Sequence, residues 1–172
     1  MPIYFKTDVT MVIRYSQAEL NRLVSCAKEI VKPPKKEMVV VNGSYRNEMK
    51  LKSKDEDDDF TVFFRKNEDF DDNFSVGLRY HPKSGGDSFV VFRCNSKHPH
   101  SEIDHFHGRT HFHIAKAENF DKGLKPEASA IPTTEYVTYG EAVLFFCRKC
   151  NIINANEWFP HHSQLPLVFK NE

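Results

Sequence analysis

The chain has 172 residues, with 24 basic and 24 acidic side chains, so its formal charge at neutral pH is zero. Balanced charge excludes a global basic field for nucleic acid, and any such surface has to be local. With 40% hydrophobic and 28% charged residues and no apolar run near the ~20 residues of a membrane helix, the expectation is a single soluble domain over 1–172 with no membrane contact.

Fifteen phenylalanines, mostly in short extended runs, point to a sheet with an aromatic core. The start, MPIYFKTDVT, lacks an apolar stretch of signal-peptide length. Cys26, Cys94, Cys147 and Cys150 are therefore expected as free thiols in a cytoplasmic, reducing compartment.

In chain order, Ser16-Gln17-Ala18-Glu19 reads as a capping box. It opens a helix over 16–31 with Leu20, Leu23, Val24, Ala27, Ile30 and Val31 on one stripe, and Pro33-Pro34 ends it. An antiparallel sheet is expected over 38–115. Its strands are 38–41, followed by the Asn42-Gly43 turn, then 45–52, 60–66, 74–80, 88–94 and 110–115. The acidic run 55–59 lacks the glycine and terminal glutamate of a calcium loop and reads as a solvated turn. In the last strand Phe112 and Ile114 are expected to face the core, and His111 and His113 the other side. Residues 116–132 read as irregular. Thr138-Tyr139-Gly140-Glu141 is a second capping box, opening a helix over 138–151, and 152–172 is a tail. The fold class expected is α+β, one twisted antiparallel sheet of roughly five or six strands with two helices packed on one face.

Chemistry concentrates in one segment. Six of the nine histidines form three His-x-His units, His98/His100, His105/His107 and His111/His113. On a strand, residues i and i+2 share a face, so each unit sets two imidazoles side by side. Imidazole titrates near neutrality and is the commonest metal ligand. The segment therefore suits proton transfer, phosphate binding or a metal. With a metal, His105, His107, His111 and His113 would supply nitrogen ligands to zinc or another divalent transition metal. Without one, two histidines act as base and acid on RNA. Glu102 and Asp104 are placed to orient an imidazole.

Arg65, Arg79 and Arg93 recur fourteen positions apart near strand ends, each at opposite parity to the apolar residue before it. That puts all three on the non-core face, with Arg65 and Arg93 sharing an edge and Arg79 at the other. Arg93 beside the histidines suits bidentate phosphate binding. Cys147-Arg148-Lys149-Cys150 falls within a helical stripe, where both thiols turn to the core.

The stretches NFSVGLRYHP, FRCNSKHPH, HFHIAKAENFDKGLKPE and TTEYVTYGEAVLFFCRKCNI resemble a small prokaryotic domain family that carries an F-H-I-H-like strand. The arrangement of Arg93 and a histidine before a second histidine-rich strand is also similar in layout to TumE-like toxins of toxin–antitoxin pairs. That likeness implies action on RNA and restraint by a helix-turn-helix partner, and it nominates Arg93, His98, His100, His111 and His113.

The leading expectation is a prokaryotic or phage-borne, cofactor-free ribonuclease. His111, His113 and His98 are its catalytic residues; Arg93, His100 and Arg79 bind substrate. RNA and a protein partner, an antitoxin or a defence-system component, are its expected contacts. One alternative is a metal-dependent hydrolase using the same histidines. The other is a non-enzymatic binding protein, such as a phage-borne inhibitor of a host defence complex.

Overall fold

The computed structural model describes residues 15–97 and 109–159. The elements run α1 (Gln17–Ser25), β1 (Lys28–Lys32), β2 (Val39–Val41), β3 (Ser44–Ser53), β4 (Asp59–Asn67), β5 (Phe74–His81), β6 (Phe89–Asn95), β7 (His111–Ile114), α2 (Ala117–Asp121), β8 (Ala130–Pro132), α3 (Tyr139–Lys149) and α4 (Ala155–Trp158). The strands form one open antiparallel sheet in the order β1-β3-β4-β5-β6-β7-β8, and β2 also pairs with β3. The α+β class and the single antiparallel sheet are as expected. The described residues hold eight strands, more than the five or six expected, and four helices where two were read.

Period-two patterning decides which face is buried. Val62 and Phe64 on β4, Val76 and Leu78 on β5, and Phe92 and Cys94 on β6 are almost fully buried. Leu20, Leu23 and Val24 of α1 and Ala142, Val143 and Phe146 of α3 join the same core. Burying each large apolar side chain stabilises the fold by roughly 1.5–3 kcal/mol. Cys147 and Cys150 turn inward as their helical spacing requires, and all four cysteines are free thiols. Both capping boxes form. Ser16 Oγ accepts from the Glu19 amide at 3.2 Å and Thr138 Oγ1 from the Glu141 amide at 3.3 Å. The returning bonds from the backbone amides of Ser16 and Thr138 hold the carboxyls of Glu19 and Glu141 below their ordinary range.

The expected first helix is corrected at its end. It stops at Ser25, and Lys28–Lys32 is a strand paired with β3. Lys28 supplies the reason. Its side chain is fully buried, and Nζ donates to the carbonyls of Val24 (2.8 Å), Cys26 (2.9 Å) and Cys150 (3.1 Å). These acceptors lie at the C-terminal ends of α1 and α3, where carbonyls lack helical partners and the helix dipoles are negative. A lysine thus caps two helices at once, and helical continuation through residue 28 is excluded. The expected tail begins with α4, and residues 160–172 lie outside the described region. Among the described residues, no helix is long and apolar enough to cross a membrane.

Candidate functional site

The side of the sheet turned away from that core carries the chemistry. β7 pairs with β6 in the register Asn95↔His111, Cys94↔Phe112 and Arg93↔His113. Phe112 packs on Phe92 and Phe145 of the core, so alternation sends His111 and His113 to the opposite face, as expected. Their rings lie 5.0 Å apart at 74°. Exposure departs from the reading that placed them on an open face. They are 0% and 2% exposed, and the turn carrying Glu127 lies against His113.

Each imidazole is held at Nδ1. His111 Nδ1–H donates to the Arg109 carbonyl at 2.7 Å, and His113 Nδ1–H donates to the Glu127 carbonyl at 2.9 Å. A carbonyl only accepts, so both Nδ1 atoms carry hydrogen, and either ring in its neutral form has its lone pair at Nε2. A polar chain crosses three strands to reach His111. Ser75 Oγ donates to Asn95 Oδ1 at 2.8 Å, and Asn95 Nδ2 approaches His111 Nε2 at 3.4 Å. Behind it, the buried Tyr136 hydroxyl accepts from the Asn95 amide at 3.2 Å and bonds the carbonyls of Asn95 and His111. Burial pushes that phenol far above its ordinary range, which keeps it a neutral donor.

Arg93 completes the cluster. Burial pulls its guanidinium below the ordinary value, with the Glu127 carboxylate opposing. Glu127 Oε1 stands 3.8 Å from Nη1, beyond hydrogen-bond length. Arg93 Nε is buried and has no hydrogen-bond partner among the described residues. A guanidinium in this condition has unused capacity for an anion.

Of the residues nominated from sequence, His111, His113 and Arg93 come together. Arg79 shares their face but stands apart, over the Phe63 ring at 5.6 Å from its centroid. Contrary to the edge argument, Arg79 lines the same groove as Arg65. His98, His100, His105 and His107, with Glu102 and Asp104, lie outside the described residues. Among the described residues, no three His, Cys, Asp or Glu side chains form a group able to hold a metal. Sequence reasoning missed Asn95, Glu127 and Tyr136. Asn95 alone had a signal, since it shares the parity of Arg93.

The model of a family of unknown function (DUF6978) matches residues 15–152. The chain belongs to this family. No curated protein matches it, and no solved structure does either. The matched span of this DUF6978 member begins next to the α1 cap and ends just past α3. It takes in the sheet, the Lys28 cradle and the His111–His113–Arg93 cluster.

Proposed function

We propose that this DUF6978 member acts on RNA as a toxin-like, metal-independent ribonuclease of the cytoplasm. His111 and His113 exchange protons, and Arg93 binds the scissile phosphate. The observation that carries the reading is the half-buried Arg93 side chain, with its buried and unpartnered Nε, directly across the ladder from one of two adjacent imidazoles. The four free thiols suit a reducing compartment. An antitoxin-like protein partner goes with this reading.

The chemistry balances with the groups present. One neutral imidazole takes the 2′-hydroxyl proton at Nε2, and the 2′-oxygen bonds to phosphorus. The bond from phosphorus to the 5′-oxygen breaks, and the second imidazole, protonated at Nε2, gives its proton to that oxygen. The products are a 2′,3′-cyclic phosphate and a 5′-hydroxyl, and solvent resets the pair. Substrate entry swings the Glu127 carboxylate off Arg93, while the Glu127 carbonyl keeps its bond to His113 Nδ1. A phosphate then replaces the long Arg93–Glu127 contact with short charge-assisted bonds.

A second reading, a metal-dependent hydrolase, is favoured by one observation. Both Nδ1 atoms are anchored on backbone carbonyls, the arrangement that metal-ligating imidazoles use. The test is incubation of labelled single-stranded RNA with wild type, His113→Gln and Arg93→Lys, with and without a chelator. The expected outcome is cleavage in chelator, cyclic phosphate ends, and a loss of about 10²-fold or more in His113→Gln. Cleavage abolished by chelator moves the metal reading to first place. No cleavage under any condition ends both.

A further inference from the structure

A second feature of the same face lies on β3, β4 and β5. A groove of about 460 Å³ runs beside Phe63, bordered by Arg46, Arg65, Arg79, Lys35 and Glu48. Arg46 and Arg65 sit directly opposite each other across the β3–β4 ladder. Like charges in that position are destabilising unless something anionic joins them. None of Arg46, Arg65 and Arg79 makes an ion pair with a described residue. Arg65 Nε is held by Ser44 Oγ at 3.3 Å, which leaves its terminal nitrogens to point elsewhere.

Phe63 is the floor. It faces Gly77 across the β4–β5 ladder, and its ring lies over that glycine so closely that a Cβ there would stand 2.2 Å from the ring. The tip of the ring therefore reaches over Gly77, where only the lack of a side chain makes room for it. The Arg79 guanidinium lies over the ring, 5.6 Å from its centroid; a base takes its place there, and the displaced guanidinium meets the phosphate of that base. Glu48 opposes Phe63 on the other side and offers a carboxylate to the amino edge of that base.

We propose that this groove binds single-stranded RNA, with a base stacked on Phe63 and the flanking phosphates on Arg46, Arg65 and Arg79. The choice of RNA among single strands rests on the function proposed above. The single-strand preference rests on Phe63 alone, because an aromatic platform needs an unpaired base. β4 and β7 are three strand spacings, about 14 Å, apart. One strand lying across the sheet thus meets the groove with one part and the histidine pair with another.

The test uses a short 2′-O-methyl oligonucleotide, which has no 2′-hydroxyl to react, with binding read by fluorescence anisotropy over a salt series. Phe63→Leu, which keeps an apolar cover on Gly77, is expected to weaken binding roughly 5- to 150-fold. The double variant Arg65→Gln/Arg79→Gln is expected to weaken it at least 10-fold and to flatten the salt slope by about 1.4, at ~0.7 per lost phosphate contact. A duplex of the same length should compete poorly. Unchanged affinity in both variants, no binding at low salt, or equal competition by duplex overturns the groove assignment. Groove-dependent binding without RNA cleavage overturns the ribonuclease reading and leaves the groove standing. His113-dependent cleavage that is indifferent to Phe63 and the arginines does the reverse.

Discussion

Arg93 and His113 are direct cross-strand partners on β6 and β7, and both touch Glu127, the one through its carboxylate and the other through its carbonyl. A single residue thus orients the imidazole and occupies the guanidinium. Glu127→Gln separates these roles, since the carbonyl stays while the charge goes. The variant is expected to bind RNA several-fold more tightly, seen as a lower KM, because the phosphate no longer competes with a carboxylate. It is also expected to lose about 1 kcal/mol of stability as Arg93 loses its counter-charge, about 2–4 °C in Tm. A KM that rises in a folded variant counts against Arg93 as the phosphate group.

Lys28 and Cys150 give a second test, of the fold alone. Lys28→Met preserves the length and apolar stem of the side chain but leaves three buried carbonyls without their donor. Each orphaned acceptor costs about 1–3 kcal/mol, so the variant is expected to lose at least 3 kcal/mol in urea unfolding. A loss under 1 kcal/mol removes the cradle from any account of stability.

Stability is expected to fall as pH rises above about 9. Burial pushes the Cys147 thiol from 9.0 up to about 12 and the Tyr80 phenol from 10.0 up to about 12. Cys94, Cys150, Tyr136 and Tyr139 move in the same direction for the same reason. A raised folded-state pKa means that the native chain holds its proton longer than the unfolded one. The contribution is complete below the unfolded pKa and is lost as pH rises toward the folded one. Each group contributes up to about 1.4 kcal/mol per pH unit in its window. Urea midpoints at pH 8, 9.5 and 10.5 should drop in order, and Cys147→Ala should shallow the fall. A midpoint flat to pH 10.5 refutes the assignment.

Much of the framework was legible because it is local. The capping boxes at Ser16 and Thr138 need only four residues each, and alternation in β4 to β7 fixes which side chains share a face. That is why His111, His113, Arg65, Arg79 and Arg93 fall where parity puts them. The end of α1 was not legible. Ile30 and Val31 continue a helical stripe in sequence, and the carbonyl that draws Lys28 out of the helix lies 122 residues away. Burial of the histidine pair was hidden for a similar reason. Parity gives the face but not what lies over it, and the covering carbonyl of Glu127 comes from a stretch without periodicity. Phe63 had a signal that went unread. A Phe-Phe doublet within a strand must send one ring to each side, and Phe64 took the core.

The cradle around Lys28 also bears on the order of events during synthesis. The lysine appears early, yet its last acceptor, Cys150, belongs to the end of α3. Until that helix has left the ribosome the ammonium has nowhere dry to go, so β1 is expected to add to the β3 edge late. The first strand of the sheet to be synthesised is thus among the last to settle.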